Sequence, residues 1–219
     1  MKRSSLIKFF IVFLLFILFT ILIKTIDVEA IGPFGSEVGF SAINDAFRKI
    51  FPYSDLFYKI SKYLGYAAFL IIFVYALTGL IQLIKRKSLF KVDKELYALA
   101  GFYALVLFVY VLFEKVIINY RPVLEKGALE ASYPSSHTIL SICVCVSSIM
   151  ISKKIFKNKK YTNLFNLASG LLMVGIVATR VLSGVHWLTD IIGGILISVA
   201  LCILFECVLQ MISKKKKTS

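Results

Sequence analysis

The sequence predicts an all-α membrane protein: six transmembrane helices in one bundle, with both termini on the cytoplasmic side. Three observations carry that expectation. Apolar residues make up 59% of the chain and charged residues 17%, against about 45–50% and about 25% in soluble domains. The apolar residues fall into six runs close to the roughly 20 residues that a spanning helix needs. The basic residues behind the net charge of +14 stand in short clusters between those runs, as membrane orientation requires. They do not form one soluble basic face, so the expected partner is the bilayer and not nucleic acid.

The runs cover about 6–23, 64–84, 96–118, 137–151, 164–182 and 188–212. The first follows Met1-Lys2-Arg3. It is longer than the apolar part of a signal peptide, about 7–15 residues, and no small-x-small cleavage site follows it closely, so it reads as a retained span. The fourth run is the shortest, with its start inside a polar motif. Lys2 and Arg3 precede the first span. Lys85, Arg86, Lys87, Lys91 and Lys94 join the second to the third. Lys153, Lys154, Lys157, Lys159 and Lys160 join the fourth to the fifth, and Lys214 to Lys217 follow the sixth. All of these share one side, the cytoplasmic one by the positive-inside rule. The loops at about 24–63, 119–136 and 183–187 then lie outside.

The first outer loop carries Asp27, Glu29, Glu37, Asp45 and Asp55, and its stretch 46–51 suits a short interfacial helix. Cys143, Cys145, Cys202 and Cys207 all lie within apolar runs without metal-ligand spacing. They read as small apolar residues, not as disulfides or ligands. The whole of 1–219 reads as a single membrane-embedded domain, with its motif-bearing core at about 114–190.

Polar groups at membrane depth are costly and mark function. Here they gather on the outer side in three clusters: Arg121-Pro122; Tyr133-Pro134-Ser135-Ser136-His137; and Thr179-Arg180 followed by His186 and Asp190. The clusters hold the chain's two histidines. His186 and Asp190 are four residues apart and would share one face of a helix. A carboxylate on one imidazole nitrogen leaves the other as a nucleophile. The plainer reading of His186 is an interfacial belt with Trp187. Pro134 and the two serines suit a helix start, where backbone amides bind phosphate; the plainer reading is a simple cap. Arg121 offers a bidentate fork to phosphate oxygens, or else it pairs with Glu125 or Glu130.

Together the clusters resemble the signature of the type-2 phosphatidic acid phosphatase superfamily. That signature is a lysine, six residues and Arg-Pro; then Pro-Ser-Gly-His; then Ser-Arg, five residues, His, three residues and Asp. Arg121-Pro122 matches the end of the first part. Pro134-Ser135-Ser136-His137 matches the second, with Ser136 in place of glycine. Thr179-Arg180, His186 and Asp190 match the third in spacing, with Thr179 in place of serine. The chain departs where the family lysine belongs. Glu114 occupies that position and Lys115 stands one residue late, about 100° around a helix. Helices usually end before a residue held extended by proline, so unwinding ahead of Arg121-Pro122 is expected to let Lys115 reach the phosphate. Lys126 is the other candidate.

The resemblance implies a bacterial membrane lipid phosphatase. His186 is implied as the nucleophile that becomes phosphohistidine, Asp190 as the group that orients it, and His137 as the acid and then the base. Arg121, Arg180, Lys115 and the amides around Ser135 and Ser136 are implied as the phosphate holders. No metal and no cofactor is implied. The substrate class is a membrane lipid phosphate, with undecaprenyl diphosphate ahead of phosphatidylglycerol phosphate and phosphatidate. The vanadium haloperoxidases share this site but are soluble. Two other classes compete: a lipid phosphotransferase using the same intermediate, and a non-catalytic transporter or scaffold. Against the latter, no charged residue stands at mid-span apart from Glu206 in the inner half of the sixth run.

Overall fold

The computed structural model describes residues 3–124, 127–156 and 158–218. Among them are seven α-helices and no strand: α1 (Arg3–Thr25), α2 (Ser41–Ile50), α3 (Asp55–Arg86), α4 (Lys94–Lys115), α5 (Ser136–Ile155), α6 (Lys159–Leu182) and α7 (Leu188–Thr218). All but α2 are long and apolar enough to cross a membrane, which is the six-span all-α architecture the sequence predicts. Lys2, Glu125, Lys126 and Lys157 lie outside the described residues. The helix α2 contains most of the stretch expected to be interfacial but starts earlier, because the Asp27 carboxylate caps it. Asp27 accepts from Ser41 Oγ and from the Ala42 amide, both at 2.9 Å, and an anion is favourable at a helix N-terminus.

The centre of the bundle is α5 and α7. In each, 56% of the most apolar window is buried, against 11–22% in the other spans. Composition explains α5. Its buried positions include Ser141, Cys143, Cys145, Ser147 and Ser148, and small residues let helices approach closely within a membrane. Ser141 Oγ donates to Thr138 O at 3.0 Å and Ser147 Oγ to Val144 O at 3.2 Å, so these hydroxyls carry no unmet polar cost. The four cysteines are free and buried. The outer helices leave large apolar side chains exposed, such as Leu14, Phe69, Phe73 and Leu171, as suits a surface solvated by lipid chains. At the lysine-rich end, Glu95 of α4 pairs with Lys154 of α5, and Arg86 reaches Asp93 at 2.8 Å.

The other end carries the three polar clusters. Tyr133 is buried there and hydrogen-bonds Thr20 of α1 at 2.7 Å. The Thr20 hydroxyl donates to Phe16 O at 2.8 Å, so Tyr133 is the donor in their shared bond. The Tyr133 ring lies on bare backbone at Gly193 of α7, where an added Cβ would stand 2.2 Å from ring carbon Cε2. That contact sets the depth at which the 116–135 connection meets α7. Gly193→Ala is therefore expected to lower unfolding stability in detergent by about 1–3 kcal/mol, the usual cost of overpacking. Thermal unfolding of the purified variant checks this.

Candidate active site

The link from α6 to α7 is short and tightly folded. Gly184 has φ +62°, and an added Cβ would lie 2.6 Å from Phe51 O, so this turn has room for glycine alone. His186 follows in irregular chain, and α7 begins at Leu188. The pairing with Asp190 is thus made across a helix start and not along a helix face as the spacing suggests. Asp190 sits in the first turn and reaches back to accept from the Trp187 amide at 2.8 Å, half of a capping box. Trp187 is fully buried and its indole N–H donates to Tyr120 O at 2.7 Å.

Four side chains close into one buried cluster. Asp190 Oδ1 accepts from Asn119 Nδ2 at 3.0 Å, and Oδ2 accepts from Ser132 Oγ. Ser132 Oγ lies 3.1 Å from His186 Nδ1, while Asp190 Oδ2 is 3.5 Å from that nitrogen. His186 is 3% exposed and Asp190 0%. The Ser132 amide donates to Asn119 O at 3.0 Å, which ties the two non-motif members together. Neither Asn119 nor Ser132 is singled out by the sequence. Their one signal is position, each two residues ahead of a proline-bearing motif, Arg121-Pro122 or Pro134-Ser135.

Both arginines belong to this end of the bundle. Arg180 ends α6 within its last turn, is 1% exposed, and places its guanidinium 5.4 Å from the Tyr58 ring centroid. Arg121 is held in the loop by its amide, which donates to Glu130 O at 3.1 Å. Its guanidinium lies 3.4 Å from Glu130 and within electrostatic reach of Asp190. The pairing with Glu130 and a place beside the site are therefore compatible.

Helix α5 starts at Ser136, with Ser135 as its N-cap. The Ser135 amide donates to Asp190 O at 3.0 Å, so that amide anchors α5 to α7. The amides of Ser136, His137 and Thr138 precede the first intrahelical bond, Ile139 N to Ser135 O, at the helix end whose dipole favours an anion. His137 packs against α3, where an added Cβ on Gly65 would lie 3.5 Å from its Cδ2.

A small cavity of about 10 Å³ adjoins His186 and is lined also by Ser132, Ser136, Tyr110 and Glu114; it has room for about one water. Beside it, a groove of about 470 Å³ between α3, α4 and α5 runs from His137 and Ser136 to Val144. Tyr110, Ser136 and Ile139 line both. At the point where the chain departs from the family signature, Glu114 and not Lys115 faces the cavity. The helix α4 continues through Lys115 and stops at Val116, so the rotation is not relieved, and Lys115 stays exposed. Unwinding comes too late to bring Lys115 round.

Six spanning helices with a buried histidine–carboxylate pair, arginines and a helix N-terminus at one end define an integral membrane enzyme built to handle an anion. The chain belongs to the PAP2 superfamily, whose sequence model matches residues 63–214, and it is a membrane phosphatase of the hydrolase class. Its fold is similar to the crystal structure of a transmembrane PAP2-type phosphatidylglycerolphosphate phosphatase from Bacillus subtilis. The TM-score is 0.67 and the identity 18%, over 93% of this chain and 96% of that one. No curated protein matches the chain.

Proposed function

We propose that this protein removes phosphate from a membrane lipid monoester or diphosphate through a phosphohistidine at His186. The observation that carries this reading is the buried Nδ1 side of His186, which meets Ser132 Oγ at 3.1 Å with Asp190 behind it and so makes Nε2 the attacking nitrogen. Nε2 bonds to phosphorus as the bond from phosphorus to the lipid oxygen breaks, and His137 gives that oxygen its proton. A water then attacks the phosphohistidine, its proton passes to His137, and inorganic phosphate leaves. Arg121, Arg180 and the amides of Ser136 and His137 hold the phosphoryl oxygens as charge develops. A phosphoryl group exceeds the small cavity, so binding displaces part of its lining, which includes the exposed Glu114.

The groove supports a lipid chain as the rest of the substrate, because its walls are apolar below His137. A second apolar hollow of about 480 Å³, reaching Val92 and Leu89, shares Ile72 and Tyr103 with it. Together they follow the seam between α3 and α4 toward the lysine-rich end and favour a long single chain, such as a polyprenyl diphosphate. Phosphatidylglycerol phosphate, the lipid named for the similar structure, and phosphatidate are the alternatives. The lysine clusters support an orientation with the site end outside and both termini in the cytoplasm. A phosphate-release panel over the three lipids with purified protein tests the reading, with undecaprenyl diphosphate expected fastest. Release from none of them would sink it.

Two outcomes bear on the phosphate holders. Cations and amides supply the charge, so turnover is expected to survive excess EDTA and to fall with orthovanadate, a mimic of the five-coordinate phosphoryl group. Activity lost to EDTA and restored by a divalent metal would contradict this. Lys115→Ala is expected to keep kcat/KM on a soluble short-chain substrate within about threefold, since its side chain is off the cavity. A fall of about 10²-fold, typical of losing a transition-state contact, would return Lys115 to the site.

A further inference from the structure

At Nδ1 of His186, the hydroxyl of Ser132 stands nearer than the carboxylate of Asp190. At 3.1 Å it is in hydrogen-bond range of Nδ1, whereas Asp190 Oδ2 at 3.5 Å is beyond the usual 2.7–3.2 Å for such a bond. The same hydroxyl also bonds Asp190 Oδ2. A hydroxyl has one proton to give, and a carboxylate can only accept. With Asp190 as the carboxylate, the Ser132 proton goes to Oδ2 and Ser132 Oγ must accept from His186. Nδ1 then carries the imidazole proton, and Nε2 holds the lone pair that attack on phosphorus requires.

We infer that Ser132 is the positioning residue that sets the tautomer of His186, and that Asp190 acts on the imidazole through it. The surroundings hold the serine to this task. It is 3% exposed, and its amide is fixed to Asn119 O at 3.0 Å while the Asn119 side chain holds the other oxygen of Asp190. The Trp187 amide occupies Oδ2 from another side at 2.8 Å, so the carboxylate cannot swing toward the ring without losing a bond.

This inference rests on His186 as the reacting group, and its test has an arm that needs no substrate. The chain has two histidines, so protein labelled with 15N-histidine in detergent gives two imidazoles, and His137→Gln assigns them. At pH 8, above the ordinary imidazole range, His186 in the unaltered protein is expected to carry its proton on Nδ1. Ser132→Ala is expected to shift His186 toward a mixture of tautomers. It should also lower kcat by about 10²-fold with KM little changed, less than full loss of a tautomer-holding group because Asp190 is near enough to substitute in part. Ser132→Thr keeps the hydroxyl and should restore both. Should Ser132→Ala fail to fold, Ser132→Cys, of similar size and a poor donor, takes its place. An unchanged tautomer with kcat within about twofold would overturn the role, as would failure of Ser132→Thr to restore either readout. A tautomer that responds as expected in a protein that hydrolyses no lipid phosphate would overturn the proposed function and leave the positioning role standing.

Discussion

His186→Ala abolishes phosphate release, with kcat down by at least about 10³-fold, the scale of losing a nucleophile that works as part of a unit. No neighbour can replace it. The one other histidine, His137, starts α5 and packs toward Gly65 of α3, on the groove side of the site. The fold is expected to survive, because the rest of the cluster does not depend on the imidazole. Asp190 keeps the Asn119 amide, the Trp187 amide and Ser132, and the Trp187 indole keeps Tyr120 O. Size exclusion and thermal unfolding in detergent should match the unaltered protein. Trapping of 32P-phosphate on the protein by rapid acid quench should succeed for the unaltered chain and fail for the variant. Turnover within tenfold of the unaltered protein would remove His186 as nucleophile.

The spans were legible because hydropathy and length are local properties. The clusters were legible as groups because each stands in a few consecutive residues beside an apolar run. What sequence could not supply was the path of the connections. Ser132 and Asn119 are ordinary polar residues in a loop, and they matter only because a backbone bond pairs them and because Tyr133 seats on bare backbone at Gly193. The spacing of His186 and Asp190 suggested a shared helix face, yet the contact forms across a cap, since the turn at Gly184 leaves His186 ahead of α7. Lys115 shows the reverse. The rotation of one residue on a helix was readable, but the point at which α4 ends was not, and that end decides whether Glu114 or Lys115 meets the cavity. For Arg121 the sequence offers a phosphate fork or an acidic partner, and the geometry beside Glu130 allows both at once.

Arg180→Lys lowers kcat/KM by about 10²–10³-fold although the charge is kept, because a guanidinium binds phosphoryl oxygens through a planar fork that an ammonium lacks. The residue is built in rather than draped on the surface. It is 1% exposed, its carbonyl accepts from Ser183 Oγ at 2.8 Å, and its guanidinium lies over the Tyr58 ring. A cation in the last turn of α6 is also favoured by the helix dipole, so a positive charge at this point costs least where the substrate's charge needs it. Lysine retains the interaction with the helix dipole and loses the planar fork, which makes the lysine variant a cleaner probe than alanine. Tyr58→Phe keeps the ring face and should stay within about threefold, whereas Tyr58→Ala removes the surface that orients the guanidinium and should approach the loss seen for Arg180→Lys. Kinetics of the three variants on one soluble short-chain substrate, with unfolding temperatures alongside, check the argument. An Arg180→Lys variant within about threefold of the unaltered protein would mean that Arg180 serves the fold and leaves Arg121 and the α5 amides to hold the phosphoryl group.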